Sequence, residues 1–210
     1  MISAVTLVCT IFSQKRTSIH SAAKLMDQFG IFSPAMHVVE YKHTKFQLQN
    51  PINSSEFVGN TDDVENAWKK IAYLPDQLVR DEDFPKLQKP SDSLRVTDPK
   101  TGEMGYRAGL EVFHQLRCLN LVRMATYPEY FPKLSSDIKD GSGDVRIHLD
   151  DCIESLRMSL MCLSDVNVFT FHDKSGFKNP IPDYESHHVC RNFDDIKQWA
   201  LNNAMPALDV

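Results

Sequence analysis

The chain has 210 residues, 42% of them hydrophobic and 24% charged, with a formal net charge of -5. That is the composition of a folded globular protein rather than a disordered chain. It leaves no basic field for a phosphate backbone, since no Lys/Arg run exceeds Lys15-Arg16 or Lys69-Lys70, so nucleic acid is excluded as an expected partner.

In chain order, residues 1–12 form an apolar run followed by Gln14-Lys15-Arg16. A membrane span takes roughly 18 or more apolar residues, so this run reads as a signal h-region, the remnant of an anchor, or a core segment. A helix is expected over residues 21–29, stopped by Gly30, and Ser33-Pro34 then opens an extended stretch in which Val38, Tyr41, Phe46 and Leu48 mark one or two short strands. Asn53-Ser54-Ser55 is a glycosylation sequon for a chain that enters the secretory pathway. Thr61-Asp-Asp-Val-Glu65 starts a helix with acid in its first turn, leading into Ala67-Trp68 and Ile71. Residues 72–100, rich in Pro, Asp and Lys, read as irregular chain with a small strand near residues 94–96. Helices follow over residues 109–126 and 145–163, separated by a polar, glycine-containing loop over residues 137–143. A loop with Gly176, Pro180 and Pro182 leads to His187-His188-Val-Cys190-Arg191. The last helix, residues 193–203, puts Phe193, Ile196 and Trp199 at the spacing of one apolar face. The expected fold class is therefore α+β, mainly helical, with a small strand element. The length favours one domain over residues 31–205 behind an N-terminal segment of residues 1–30.

The two long helices carry the same pattern. His114-Gln-Leu-Arg117-Cys118-Leu119 through Val122-Arg123-Met124 and His148-Leu-Asp-Asp151-Cys152-Ile153 through Leu156-Arg157-Met158 both fit H-x-x-x-C-[LI]-x-x-[VL]-R-M. Positions i, i+3 and i+4 share a helix face at about 5–6 Å, which groups His114 with Arg117 and Cys118, and His148 with Asp151 and Cys152. The two motif helices are expected to frame one polar pocket. If they face each other, Arg117 and Asp151 are suited to an ion pair, their desolvation offset by hydrogen bonds from the histidines. Cys118 and Cys152 suit either metal ligation or a bridge between the helices, with the bridge the stronger reading; Cys162 and Cys190 are then the second pair. Arg123 and Arg157 only partly share the histidine face and read as structural struts.

Ser33-Pro34-Ala35, Ala67-Trp68, Leu110-Glu-Val-Phe-His-Gln-Leu116 with Cys118-Leu-Asn120, Leu156-Arg157, Ser159-Leu-Met-Cys162, Asp165-Val166 and His188-Val-Cys190-Arg191 occur in this order. The series, spanning about residues 31–201, resembles the UstYa-like oxidases of fungal secondary-metabolite clusters. The resemblance implies oxidative tailoring of a small or peptide-derived metabolite by cyclisation, hydroxylation, halogenation or desaturation, a single N-terminal membrane anchor, and copper held by a pair of H-x-x-H-C motifs. Imidazole suits copper, and copper activates dioxygen as side chains alone do not. The chain departs from that signature where Arg117 and Asp151 replace the second histidine of each motif. Arginine only donates and cannot ligate.

Two mechanisms stay open. In the first, His114, His148 and Asp151, joined by His188, hold copper for an oxidase. In the second no metal is bound, Asp151 or a histidine acts as general base and Arg117 stabilises developing negative charge, giving a metal-independent cyclase or isomerase. A third reading makes the chain a catalytically silent partner of an intact family member, in a homo- or hetero-oligomer. The expected location is the secretory pathway or a membrane surface reached through the N-terminus, with a soluble intracellular protein as the alternative. No G-x-S-x-G elbow, H-E-x-x-H helix, phosphate loop or C-x-x-C pair is present.

Overall fold

The computed structural model describes residues 24, 28–29, 31–48, 55–140, 143–173 and 178–207. The apolar run of residues 1–12, most of the helix expected at residues 21–29, Asn53-Ser54 of the sequon and Gly176 lie outside them. Five helices are described: α1 (Asp62–Ala72), α2 (Glu111–Ala125), α3 (Pro132–Lys139), α4 (Gly143–Leu163) and α5 (Phe193–Asn202). Seven short strands accompany them: β1 (Tyr41–Lys45), β2 (Gln77–Arg80), β3 (Arg95–Thr97), β4 (Met104–Ala108), β5 (Thr170–His172), β6 (Ile181–Asp183) and β7 (His187–Arg191). The class is α+β and mainly helical. The chain divides into two compact units, one of residues 1–42, 75–108 and 190–210, the other of residues 43–74 and 109–189.

In the first unit, β4 is the middle strand of an antiparallel sheet ordered β2-β4-β3. Gly105 sits opposite Arg80 in that register. A β-carbon at Gly105 would collide with the Val79 carbonyl and press on the Leu78 side chain at 3.1 Å, so the close strand approach requires glycine. Buried Gln77 donates from Nε2 to the carbonyls of Pro75 and Ala200, while Arg107 Nε donates to Asp76 at 2.7 Å and Arg107 Nη1 to the Pro206 carbonyl at 3.2 Å. The chain after α5 is thereby fastened to the start of β2. Asn192, also buried, accepts from the Glu40 N–H at 2.7 Å and donates to the Val38 carbonyl and to Asp195 at 2.8 Å, tying the start of α5 to the chain before β1.

In the second unit, α1 begins as its sequence dictates. Thr61 caps the Val64 N–H, acids fill the first turn and Lys69 and Lys70 the last. Val64, Ala67, Trp68 and Ala72 form its buried face, and Phe57, Ile71 and Leu116 pack around Val64, Trp68 and Ala72. Trp68 donates its indole N–H to the Phe57 carbonyl at 2.9 Å. The α2–α1 contact is locked by Arg123, which donates to Asn120 at 2.8 Å, to the Gly59 carbonyl at 2.6 Å and to Glu65. The structure departs from the sequence expectation in several elements, β4, β5 and β6 among them. Residues 137–139 close the helix α3 instead of opening a loop, with Pro132 at its N-terminal end, and residues 72–100 contain β2 in addition to the strand expected near Val96.

Candidate functional site

The repeated motifs meet through their cysteines. Cys118 and Cys152 are both buried and form a disulfide, with Cα atoms 4.9 Å apart across 34 residues of sequence. Gln115 Nε2 also donates to Ser159 Oγ at 3.0 Å. Numbering therefore rises along α2 while it falls along α4, so the two helices run antiparallel. Cys162 is an exposed free thiol at the end of α4 and Cys190 a half-buried free thiol on β7, so the expected second bridge is not formed.

His114 and His148 each precede their cysteine by one helical turn and turn Nε2 toward its sulfur, at 3.7 and 4.0 Å. Because the helices are antiparallel, one turn back along each leads in opposite directions. The two imidazoles bracket the disulfide from its two ends instead of meeting. Both histidines, like Arg117 and Asp151, are exposed. Arg117 is not ion-paired to Asp151: its guanidinium lies over the Tyr73 ring, 5.2 Å from the centroid. The reason is rotational. Cys118 marks the contact line, and a residue one position earlier is turned by about 100° about the axis, where Tyr73 at the end of α1 offers an aromatic face.

Copper is the group that the resemblance implies, and the donor set was expected to be His114, His148, Asp151 and His188. These residues do not fit a shared ion in this arrangement. The first two aim Nε2 at the disulfide from its two ends, and its sulfurs carry no thiolate to ligate an ion between them. His188 has both ring nitrogens engaged: Nδ1 lies 3.2 Å from Asp165 Oδ2 and 3.0 Å from the Asn167 amide nitrogen, and Nε2 lies 2.8 Å from Ser186 Oγ. Among the described residues no three His, Cys, Asp or Glu side chains are grouped to hold a metal. No step is therefore derived through copper.

His188 is the better-enclosed imidazole, with its side chain 13% exposed and its ring stacked on Phe46 at 3.8 Å between centroids. Its partners Ser186 and Asp165 escaped the sequence reading, because Ser-x-His and a distant Asp form no recognised spacing. The signal in the sequence is that Asp165-Val166 and His188-Val-Cys190-Arg191 are among the segments that carry the resemblance. Arg123 is the strut expected of it, whereas Arg157 meets Glu154 and the Met161 sulfur on its own exposed helix.

The family model described as mycotoxin biosynthesis protein UstYa matches residues 1–203. The chain belongs to the UstYa family. It is 36% identical over 188 residues to the UstYa family oxidase phomYc of Diaporthe leptostromiformis, covering 85% of this chain and 71% of the relative. It is 48% identical over 185 residues to phomYc' of the same fungus, covering 85% of this chain and 64% of the relative. It is 28% identical over 186 residues to the transacylase cctO of Talaromyces islandicus, covering 83% of this chain and 60% of the relative. No solved structure matches the chain. No helix among the described residues is long and apolar enough to cross a membrane.

Proposed function

We propose that the chain acts in fungal secondary metabolism as an oxidase-type tailoring enzyme, carrying out a cyclisation, hydroxylation or desaturation of a small or peptide-derived metabolite. The observation that carries this reading is the doubled turn. Two imidazoles are kept at matching positions and held against one covalent staple, yet both remain exposed to a ligand. A structural histidine is usually buried and strongly hydrogen-bonded, whereas these two are exposed and reach only a disulfide sulfur, a weak acceptor. The shared face of α2 and α4 then binds the metabolite, with His114 and His148 as the groups that move protons at it, while the two electrons pass to dioxygen activated by a redox group that these side chains do not themselves provide. Arg117, braced over Tyr73, is suited to hold an anionic group of the metabolite, and Asp151 to hold a cationic one.

We propose no copper binding by this chain alone, because His114 and His148 stand at opposite ends of the disulfide and both ring nitrogens of His188 are engaged. Instead, a specific observation favours partnership with an intact family member as the second reading. Met158, Leu160, Met161, Leu163, Val166 and Val168 leave a long apolar stretch of α4 and the chain after it exposed, Leu163 at 77% and Val166 at 90%. A family chain with both motifs complete would cover that surface and bring the missing imidazoles.

Replacing His114 and His148 by alanine in the intact gene tests the first reading. Loss of the oxidised product with normal protein levels supports it, and full production by the double variant overturns it. For the second, Leu160→Glu with Leu163→Glu is expected to leave the isolated chain as stable as before while abolishing co-purification with a family chain that retains both motifs. Unchanged co-purification removes the partnership.

A further inference from the structure

We propose that Ser186, His188 and Asp165 form a nucleophilic triad for acyl transfer, separate from the motif histidines. Ser186 Oγ lies 2.8 Å from His188 Nε2, and the other ring nitrogen, Nδ1, lies 3.2 Å from Asp165 Oδ2. This is the order of contacts that makes a serine hydroxyl nucleophilic: hydroxyl to imidazole, imidazole to carboxylate. The tautomer follows from the acceptors. A charged carboxylate outcompetes a neutral amide for the ring proton, so Nδ1 carries it and donates to Asp165. Nε2 is left to accept from the Ser186 hydroxyl. The Asn167 side chain beside Nδ1 then presents its oxygen to the ring, a 180° amide assignment that leaves the heavy-atom positions unchanged.

The three residues are held from several sides. Phe46 stacks on the imidazole at 3.8 Å, and its backbone N–H donates to the Ser186 carbonyl at 2.9 Å. Asp165 accepts the Asn167 backbone N–H at 2.8 Å on its second oxygen, which aims Oδ2 at the ring. Tyr184, two residues before the nucleophile, continues into an exposed aromatic group with Phe169 at 5.1 Å, which in turn contacts Phe171. An ester or thioester with an apolar acyl chain is the donor class that fits such a surface.

The chemistry is redox-neutral and balanced. Ser186 Oγ bonds to the acyl carbonyl carbon as its proton passes to His188 Nε2. The bond from that carbon to the leaving oxygen or sulfur breaks, and the leaving group takes the proton from His188. A hydroxyl or amine of the acceptor then attacks the acyl-serine, gives its proton to His188, and leaves Ser186 as it began. Asp165 is a positioning residue that fixes the tautomer. One limit on rate is visible. The Ser186 N–H is engaged by the Tyr184 carbonyl at 2.9 Å and cannot stabilise the oxyanion. Turnover is therefore expected to be slower by the roughly 10²–10³ that one such donor supplies, which makes covalent trapping the sensitive readout.

The test is to incubate the full chain with a fluorophosphonate and, separately, with p-nitrophenyl butyrate, and to map the adduct by peptide mass spectrometry. The expected result is modification of Ser186, near-stoichiometric p-nitrophenolate release in a burst, no adduct in Ser186→Ala, and labelling slowed by about 10³–10⁴ in Asp165→Asn, as for the loss of a triad carboxylate. An unmodified Ser186 in wild-type protein with native circular dichroism overturns the proposal. So does an adduct confined to another residue, or an Asp165→Asn variant that labels as fast as wild type.

Discussion

Arg123 reaches the Asn120 amide, the Gly59 carbonyl and the Glu65 carboxylate together, with Trp68 and Phe131 about its guanidinium. Arg157 holds the equivalent position of the repeat and meets Glu154 and the Met161 sulfur, three and four residues away on its own exposed helix. Arg123→Ala leaves Glu65, 22% exposed, without its counter-charge, and is expected to lower unfolding free energy by about 3–5 kcal/mol. Arg157→Ala is expected to leave it essentially unchanged, because an exposed pair on one helix is screened by solvent. Urea titration of both variants checks the contrast; equal losses would mean that the repeat imposes equal roles. The pattern H-x-x-x-C with a downstream Arg is plain in the sequence, but the difference in burial that separates these roles is not, because it depends on α1 packing against α2 and not α4. The joint role of Ser186 and Asp165 is hidden in the sequence for a related reason: only the folded backbone brings residues 21 positions apart onto one imidazole.

At the scale of elements, the long helices and α1 follow from periodicity, caps and the proline and glycine stops around them. β2 and β4 do not. β2 is only four residues long, and Gly105 interrupts β4 where the Val79 carbonyl comes too close for any side chain. Gly105→Ala is accordingly expected to cost about 1–3 kcal/mol, seen as a fall in melting temperature, and a neutral result would show that the β2–β4 approach is looser than described. The staple between α2 and α4 closes 34 residues of sequence, and the chain-entropy relation gives it about 3–4 kcal/mol. Replacing both Cys118 and Cys152 by alanine should reproduce the destabilisation that a reductant causes in the wild type, and a double variant insensitive to the loss would leave the staple without energetic weight. At the start of α5, hydrogen bonds from Asn192 and Lys42 hold the Asp195 carboxyl below its ordinary range. A carboxylate with a lowered folded pKa stabilises the fold above its unfolded value and loses that contribution as pH falls through the folded one. Asp195→Asn should therefore flatten the acid side of the melting temperature against pH profile and leave the alkaline side unchanged; an unaltered acid limb would show that Asp195 does not anchor this junction.

For the whole molecule, family membership was legible from ordered motifs spread over most of the chain, while the arrangement of the site was not. Matching motifs on two helices imply convergence, but the antiparallel course of α2 and α4 sends the two histidines to opposite ends of the disulfide. The face they share carries the oxidative-tailoring reading. The most direct measurement deletes the gene in the source fungus, restores it as wild type or as His114→Ala with His148→Ala, and compares metabolite masses. The expected result is that deletion accumulates a compound lacking one oxygen or retaining two hydrogens relative to the mature product, restored by the wild type and not by the histidine variant. Full restoration by that variant, or an accumulated compound at the same oxidation level as the product, would contradict it.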